Sequence, residues 1–482
     1  MVELLILQFL PLLGALFVLL IPKERRESAA IFSLVVACLE MALALTLVPQ
    51  KLTYYLGLGL GVTMVFSFDP LTAIALLVLA GSCIFSILYS FKKPIEPKRS
   101  PSFYSLILLV LFGTVGVTLA RDLIQFYVFW EVMLIPAWAL VVNWNEDPKK
   151  VRYTGLKFFL ITHIGAVLTL SSILWIYSTF GTTNMFLLQD LLPTLPAATL
   201  IAMAALFFMA FIVKLAIFPF HTWLPDAYTT SSMPVTLILV SMMISVGIYG
   251  LARFLPFFPK EAVAPLSIPY FIASLINIFY GGAMALAEKN AKRMIAYSSM
   301  SQMGYVLFGF ATLIPLGISG SVFNIMNQAV TKLVLFASVG MVAETAGTWR
   351  LEELGGWAKR HPFAAVCASG AMLSLLGTPP MLGFWPEFLT FSGGFAFGNY
   401  LIASLALVGT VLTAAYGLRL VRFVFFGPLK NEHEGAVIRP SWNMALVLTA
   451  GFLIILFLGI YPAPAFQLVR SALNLLGFGI GG

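Results

Sequence analysis

Four ionisable side chains lie in the middle of long apolar segments, where an uncompensated charge is costly. They are Glu131, Lys214, Lys332 and Glu387. A charged group at the centre of a bilayer costs about 2.5–3.5 kcal/mol on insertion scales, and such residues usually face a protein interior or a water-filled cavity. Carboxyl and amino groups can both take up and release protons in such places. The set therefore predicts a path for ions across a membrane.

Three of these residues also have a plainer interpretation. Glu131 could be a structural carboxylate paired with a neighbouring helix, and Lys214 could extend its long side chain to the membrane surface. Glu387 could cap a half-helix, because the N-terminal dipole of a helix attracts a carboxylate. Lys332 has no charged residue close to it in the sequence that would neutralise it. That isolation favours a role in ion movement.

Four more residues could extend the path, although each one alone could equally be structural. Lys157 is predicted in the first turn of the sixth helix, and His163 lies further along the same helix. His221 and Asp226 flank a predicted break in the seventh helix. We treat these residues as secondary candidates.

The composition shows what must position these residues. Of the 482 residues, 60% are hydrophobic and 10% are charged, and the mean hydropathy is +0.97. A soluble domain carries roughly 25% charged residues, so lipid must surround most of this chain. In lipid only helices and closed barrels satisfy their own backbone groups. The apolar runs of about twenty residues fit helices, whereas barrel strands have about ten. We expect an all-α polytopic membrane protein.

The apolar runs predict about fourteen transmembrane helices. Helices 7 and 12 contain Pro219 and the pair Pro379-Pro380. Because proline removes a backbone donor and breaks the hydrogen-bond ladder, both helices should be discontinuous. The predicted spans are 2–21, 29–48, 70–91, 102–120, 122–143, 156–178, 198–227, 234–256, 268–287, 293–313, 318–344, 363–396, 400–426 and 443–462.

The basic residues predict the orientation. The net charge of +8 comes from single residues and short clusters between apolar runs, so it does not indicate nucleic-acid binding. Most clusters follow odd-numbered helices, and the positive-inside rule places such loops in the cytoplasm. We expect a multi-pass protein of an energy-transducing membrane, the prokaryotic plasma membrane, with both termini on the outer side. The residues that carry this argument are Lys23, Arg25, Arg26, Lys92, Lys93, Lys98, Arg99, Lys149, Lys150, Arg152, Lys289, Lys292, Arg293, Arg350, Lys359, Arg360, Lys430 and Arg439.

The cysteines do not indicate a cofactor or a metal site. Cys38, Cys83 and Cys367 lie far apart in apolar runs, with no CxxC pair and no His/Cys spacing for a metal. We expect them to be small core residues. We also expect no redox cofactor and no metal on this chain.

The two broken helices carry similar sequences. Helix 7 continues into Trp223-Leu224-Pro225-Asp226, and helix 12 continues into Trp385-Pro386-Glu387. The two helices are five apart in order, so they should run in opposite directions. An inverted repeat with discontinuous helices near the membrane midplane is typical of ion and substrate transporters.

Four segments together resemble a known family. They read FYVFWEVMLIPAW, FIVKLAIFPFHTWLPDAY, KRMIAYSSMSQMGYVLFG and GTPPMLGFWPEFL. They are similar to the antiporter-like subunits of complex I. That family includes subunits L, M and N of bacterial NADH:quinone oxidoreductase, the D subunits of Mrp cation/proton antiporters and related subunits of membrane-bound hydrogenases. The resemblance runs from about helix 3 to helix 14, and the M-type (chain 4) members are most similar.

The resemblance implies two inverted five-helix repeats, helices 4–8 and 9–13. It implies that Glu131, Lys214, Lys332 and Glu387 match the family's ion-path residues. It also implies other membrane subunits as partners, related antiporter-like subunits among them, and protons or Na⁺ as the moving ion. Redox chemistry would take place elsewhere in the complex. The chain then divides into residues 1–101 (helices 1–3), 102–256 (first repeat), 268–426 (second repeat) and 427–482 (helix 14 and tail).

The sequence departs from the family pattern at three places. Ser245 stands where the family usually has a lysine on helix 8, and Gln328 stands where it often has a histidine before the helix 11 lysine. Segment 229–234 replaces a more usual acidic or histidine-bearing stretch. Three alternatives remain open: water and Ser245 bridge the gap, the subunit serves a divergent hydrogenase-like or sulfur-reducing complex, or pumping has been lost. A stand-alone cation/proton antiporter is a fourth.

A conducting path would need polar residues on helix 8 in place of the missing lysine. Ser241, Ser245 and Tyr249 are spaced four residues apart and should share one helical face. We expect this face to point inward and to contact buried water, which needs polar partners and room. The opposite face should pack on apolar neighbours, and it carries Leu239, Met242 and Met243.

Overall fold

The computed structural model of the protein describes residues 2–48, 50–59, 62–91, 99–428 and 437–478. Four residues of the orientation argument, Lys92, Lys93, Lys98 and Lys430, lie outside these ranges. The helices are α1 (Val2–Leu19), α2 (Arg26–Leu47), α3 (Pro70–Ser90), α4 (Ser100–Leu119), α5 (Leu123–Asn143), α6 (Val151–Phe180), α7 (Met185–Leu191), α8 (Ala197–Lys214), α9 (Trp223–Thr230), α10 (Met233–Phe254), α11 (Lys260–Ala287), α12 (Ala291–Ala311), α13 (Pro315–Ala346), α14 (Pro362–Leu375), α15 (Phe384–Ala396), α16 (Tyr400–Phe426), α17 (Trp442–Ile460) and α18 (Ala463–Leu475).

The fold is the predicted polytopic helical bundle. Among the described residues, 12 helices are long and apolar enough to cross a membrane. Helix α12 and the two halves α14 and α15 are not among the twelve, so the count of fourteen stays a prediction. Helix α13 lies at the centre, since it packs against α3, α10, α12, α14, α15 and α17.

Both predicted helix breaks are confirmed. Helix α8 ends at Lys214 and α9 begins at Trp223, while α14 ends at Leu375 and α15 begins at Phe384. Helix 6 was predicted to begin at 156, but α6 begins at Val151. Lys157 therefore lies in its second turn and not in its first. The extra turn carries polar residues that the apolar run did not include, because a helix can continue beyond the hydrocarbon layer.

Three elements were not predicted. Strands β1 (Leu52–Gly59) and β2 (Val62–Phe68) form an antiparallel hairpin, the short helix α7 follows α6, and α18 follows the last apolar helix. Helix α18 buries Ala465, Val469, Ala472 and Leu473 along one face. Of the three cysteines, Cys83 and Cys367 are buried as expected. Cys38 is exposed on α2, so the expectation of a core residue was wrong there.

A buried ion cluster fastens the hairpin end of the bundle. Asp69 caps the N-terminus of α3, where its side chain accepts a hydrogen bond from the Thr72 N–H at 2.9 Å. The same carboxylate accepts from Arg121, between α4 and α5, at 2.8 Å and from Arg253, on α10, at 2.7 Å. The hairpin joins this region through the Arg121 N–H, which donates to the Val65 carbonyl at 2.9 Å.

The charges in this cluster fix its protonation state. Burial alone would raise the pKa of Asp69, but the guanidinium groups of Arg253 and Arg121 hold that pKa well below its usual value. A carboxyl group in the unfolded chain has a pKa of about 4. When folding lowers that pKa, the group stabilises the folded state at pH values above about 4. The contribution is lost only as the pH falls from about 4 toward the folded-state pKa. Asp69 is therefore ionised in the folded protein at neutral pH.

We predict that Asp69→Asn strongly destabilises the protein. Asparagine keeps the shape but leaves two buried guanidinium groups without a counter-ion, and breaking one side of a buried pair costs about 3–5 kcal/mol. Thermal unfolding of the purified protein measures the loss. Asp190→Asn is the matched control, because Asp190 is exposed on α7. Equal unfolding midpoints for the two variants would contradict a clamping role for Asp69.

Candidate functional site

Glu131 lies on α5 at the lateral edge of the bundle, beside α6. Its Oε2 is 3.3 Å from Nδ1 of His163, and the two side chains are 20% and 39% exposed, with Glu131 the less exposed. The His163 ring stacks on Phe159 with 5.4 Å between centroids. A partly exposed ionisable pair within two membrane-spanning helices would meet lipid unless protein covers it. This edge is therefore a candidate contact for another subunit.

Lys214 is the last residue of α8, directly before the first break. It is 2% exposed, and its Nζ has no hydrogen-bond acceptor among the described residues. Nζ lies 5.3 Å from the centroid of the Trp130 ring, within the range of a cation–π contact. Trp130 directly precedes Glu131, whose charge interacts with that of Lys214. Trp130 thus contacts one predicted ion-path residue, Lys214, and precedes another, Glu131, in the sequence.

Neighbouring helices hold the first break in place. A Cβ added at Gly247 of α10 would lie 3.4 Å from Cγ of Lys214, so glycine lets the two helices approach closely. Asn277 of α11 accepts a hydrogen bond from the Phe218 N–H at 3.0 Å and donates to the Met300 carbonyl at 2.7 Å. The break exposes backbone groups, and the amide of Asn277 satisfies one of them inside the bundle.

The two breaks repeat the same local structure. Each has a left-handed residue two positions after the end of the first half-helix: Ala216, with φ 52°, and Gly377, with φ 62°. Each has a cis proline five positions after that end, and each second half-helix begins nine positions after it. Asp226 and Glu387 are both the fourth residue of their half-helix. The predicted similarity of the two breaks is therefore visible in the backbone.

The two acidic residues have different surroundings. Asp226 accepts from Lys157 of α6 and from Arg293 of α12, both at 2.7 Å, and Arg293 also donates to Glu288 at 2.9 Å. Asp226 and Arg293 line a pocket of about 450 Å³ beside the connection between α5 and α6. The structure thus brings two secondary candidates, Lys157 and Asp226, together in an ion cluster that borders a pocket.

His221 lies in the first break and makes aromatic contacts. Its ring is 5.4 Å from the Phe218 ring and 5.0 Å from the Tyr280 ring, measured between centroids. It is 5% exposed. Among the described residues, no carboxylate lies within salt-bridge distance of it. His221 is therefore placed to pack the break through its aromatic contacts.

The polar residues of α10 are buried, as predicted. The Ser241 hydroxyl donates to the Leu237 carbonyl at 2.6 Å, and the Tyr249 hydroxyl donates to the Thr118 carbonyl on α4 at 2.6 Å. Within the described residues, the Ser245 hydroxyl has no partner.

Burial does not distinguish the two faces of α10, because the helix is buried along its whole length. Leu239, Met242 and Met243 are as buried as the polar residues. A π-turn over Leu239–Met243 also changes the helical register. Ser245 and Tyr249 are one α-helical turn apart, and the shared face of Ser241 with them stays a prediction. The expected water beside these residues stays a prediction.

Lys332 lies at the centre of α13, beside a row of polar side chains that reaches the second break. Its Nζ donates to the Ser298 hydroxyl on α12 at 2.6 Å. One turn earlier, Gln328 donates to Gln302 of α12 at 3.0 Å. No hydrogen bond between described residues joins Lys214 directly to Lys332, and α10 packs against both α8 and α13.

The polar row continues from α13 into the break itself. Thr331 lies 3.1 Å from the Ser374 hydroxyl on α14, which accepts from the Gly383 N–H at 3.0 Å. Asn327 accepts from Thr331 at 3.0 Å and donates to Asn324 at 3.1 Å. The second half of the bundle therefore contains a nearly continuous line of buried hydrogen-bonding side chains.

Glu387 lies at the far end of this line, in the first turn of α15. It is 8% exposed, and its carboxylate rests against Gly377 in the break, where an added Cβ would overlap Oε2. Tyr305 of α12 and Tyr416 of α16 are close enough to interact with its charge. Unlike Asp226, Glu387 has no basic residue within salt-bridge distance in the described part of the chain.

Sequence patterns did not single out the polar row, although a signal for it was present. The residues of α13 recur at helical spacing in the segment NIMNQAVTK, and those of α12 recur at the same spacing in SSMSQMGY. The missed residues are Ser298, Gln302, Tyr305, Asn324, Asn327, Thr331, Ser374 and Tyr416.

Comparison with known families returned one match across the centre of the chain. The family is described as NADH:quinone oxidoreductase/Mrp antiporter, transmembrane, and its model matches residues 120–413. The matched region begins just before α5 and ends within α16. It therefore contains Glu131, Lys214, Lys332 and Glu387.

Individual proteins match over nearly the whole chain. F(420)H(2) dehydrogenase subunit M of Methanosarcina mazei is 34% identical over 442 residues, which cover 88% of this chain and 86% of that protein. NADH-quinone oxidoreductase subunit M of Rickettsia felis is 30% identical over 495 residues, with 97% of each chain covered. Among solved structures, the archaeal membrane-bound sulfane sulfur reductase has a chain with a TM-score of 0.89 and 25% identity, covering 99% of this chain and 98% of that one.

We predict that Gly377→Ala displaces the Glu387 carboxylate. The added methyl group would overlap Oε2, and overpacking of this kind costs about 1–3 kcal/mol. Gly347→Ala is the matched control, because Gly347 has a similar φ of 70° but no neighbour within 4 Å. Both variants carry the backbone strain, and only one carries the clash. A larger loss of thermal stability and a moved Glu387 side chain are expected for Gly377→Ala alone; equal losses would contradict the contact.

Proposed function

Because the chain belongs to the NADH:quinone oxidoreductase/Mrp antiporter transmembrane family, we propose that it is the antiporter-like membrane subunit of a complex I-type oxidoreductase. In this proposal it moves ions across the membrane, and electron transfer takes place on other subunits. The ion is a proton in the first instance, with Na⁺ as the alternative. Redox energy reaches this chain as a change in charge or conformation at its edge.

One observation carries the proposal. Glu131, Lys214, Lys332 and Glu387 lie within or next to membrane-spanning helices, and three of them are at most 8% exposed. For Lys214 no hydrogen bond offsets the cost of burying the charge in a lipid-embedded bundle, because its ammonium group has no acceptor in the described ranges. Intramembrane ionisable residues of this kind mark ion paths. The two helix breaks, one after Lys214 and one before Glu387, supply the polar backbone that such paths use.

Glu131 and Lys214 form the input of the proposed path. When the Glu131 carboxylate is turned toward Lys214, its negative charge favours the protonated ammonium. When the carboxylate turns toward His163, 3.3 Å away, that support is withdrawn and Lys214 can release its proton inward. Because the two groups are coupled, their protonation should be described as a property of the pair.

Water is proposed to carry the proton past α10. A single hydroxyl cannot relay a charge far, and Ser245 stands where the family usually has a lysine. Its buried hydroxyl has an unused donor and acceptor, which a bridging water would satisfy. Beyond α10, Lys332 receives the charge, and the row from Gln328 to Ser374 offers hydrogen-bonding groups toward Glu387.

The edge of the bundle at Glu131 and His163 is a suitable interface for a further membrane subunit. The pair is partly exposed in the middle of α5 and α6, where contact with lipid would be unfavourable. A related antiporter-like subunit could cover this edge with its own polar end residue. Charge movement in that neighbour would then act directly on Glu131.

Several parts of the proposal rest on sequence patterns. These parts are the orientation with both termini outside, the location in the prokaryotic plasma membrane, the absence of a redox cofactor from this chain, and the division into repeats 102–256 and 268–426. The similarity to a sulfane sulfur reductase chain supports a second candidate. In that candidate the same subunit serves a hydrogenase-like or sulfur-reducing complex with reduced or no pumping.

We predict that Glu131→Gln abolishes most ion pumping while leaving assembly intact. Glutamine keeps the size and hydrogen bonding of glutamate but cannot ionise, so the charge of Lys214 can no longer be switched. The measurement is the number of ions moved per electron pair by the complex in proteoliposomes, with the size of the complex checked on native gels. Glu261→Gln, at an exposed carboxylate of α11, is the control.

Two results would contradict this account of Glu131. Loss of assembly with an unchanged pumping ratio in the remaining complex would make Glu131 structural. A single chain that purifies alone and exchanges cations for protons would favour the stand-alone antiporter over a subunit of a larger complex.

A further inference from the structure

A second group of charges lies away from the proposed ion path, at the hairpin end of the bundle. A pocket of about 270 Å³ is lined there by Lys51, Asp69, Arg121 and Arg253. The rest of the wall is largely apolar and comes from α7, from the connection between α10 and α11, and from the end of α18, with Ser67 of β2 beside them. The pocket therefore combines a basic floor with apolar sides.

The charges of this pocket do not balance. Asp69 is shared by two guanidinium groups, at 2.7 and 2.8 Å. Within the described residues no carboxylate lies within salt-bridge distance of Lys51. Asp122, the neighbour of Arg121 in sequence, is already engaged, because it accepts from two N–H groups of α5 and from the Thr183 hydroxyl. Three cations thus face one carboxylate.

The Arg253 guanidinium group also retains an unused donor. Arg253 donates through Nε to Tyr249 and through Nη2 to Asp69 and Thr72, but Nη1 has no acceptor in the described ranges. The side chains of Arg121 and Arg253 are only 4% and 6% exposed. A buried surplus of positive charge is costly unless an anion compensates it. The pocket is therefore built for an anion.

We propose that this pocket binds the phosphate group of an anionic membrane lipid. Arginine matches the oxygen geometry of phosphate with two donors at once, and Lys51 adds a point charge at the rim. The pocket lies at the N-terminal end of α3, where a spanning helix begins, and so near the level of lipid headgroups. The apolar sides of the pocket would contact the first carbons of the lipid tails.

The bound lipid would join three elements that are otherwise far apart in the sequence. Gln189 of α7, Leu475 at the end of α18 and Leu476 directly after it line the same pocket as Asp69. The phosphate would fasten these peripheral helices to the buried ion cluster. This proposal does not depend on ion translocation, because Lys51, Arg121 and Arg253 are not part of the proposed path.

Lipid rebinding measured by native mass spectrometry tests the proposal. The intact complex is delipidated in an uncharged detergent and titrated with phosphatidylglycerol or phosphatidylcholine. Lys51→Glu reverses a charge at the rim without disturbing the buried cluster. Lys260→Glu, at an exposed lysine on the predicted same side of the membrane, is the control. Each Lys or Arg near an anionic lipid surface strengthens the attraction between protein and lipid by roughly fivefold.

We expect Lys51→Glu to weaken one phosphatidylglycerol site per subunit by roughly five- to thirtyfold, while Lys260→Glu leaves it unchanged. Phosphatidylcholine should compete poorly in every variant. Equal retention of the two lipids, or equal affinity in the two variants, would overturn the proposal. Displacement of phosphatidylglycerol by inorganic phosphate at low millimolar concentration would overturn the lipid assignment in favour of a soluble oxyanion.

Discussion

The structure depends on one constraint: a charge inside a lipid-embedded bundle must find its compensation within the protein. Lys214 meets this constraint in an unusual way. Its ammonium group has no hydrogen-bond acceptor among the described residues and lies over the face of Trp130, next to Glu131. Because the charge of the Lys214 ammonium group is only weakly compensated, its proton can be moved easily, whereas a full ion pair would hold the proton in place. The buried ion cluster at Asp69 is the opposite case, because its carboxylate contacts two guanidinium groups at hydrogen-bond distance.

The same contrast separates the two helix breaks. Their backbones match, and both place an acidic residue at the fourth position of the second half-helix. Asp226 is held by Lys157 and Arg293 beside a pocket, while Glu387 is buried without a basic partner in the described chain. We interpret Asp226 as a fixed charge and Glu387 as a group that can carry a proton. A repeated fold thus supports two different electrostatic roles.

The sequence was sufficient for the main features of the bundle. Apolar runs of helix length predicted the spans, and prolines predicted both breaks, since each signal is local. The four isolated charges were recognisable for the same reason. The hairpin and α18 were missed because their stability comes from contacts with distant elements, such as Arg121 with Val65. The buried ion cluster was missed because Asp69, Arg121 and Arg253 lie at the ends of membrane spans, where single charges are ordinary. The π-turn that contains Ser241 was not predicted from the sequence.

The most direct test of the account is the ion-pumping ratio of Lys214→Gln. Glutamine fills the space and can still contact Trp130, but it holds no charge and cannot pass a proton. Proteoliposomes with the intact complex and its own electron donor give ions moved per electron pair, and Lys359→Gln at an exposed lysine serves as the control. The account predicts a clearly lower ratio for Lys214→Gln while electron transfer continues once the membrane is uncoupled. A ratio equal to that of the control would contradict the ion path through this chain.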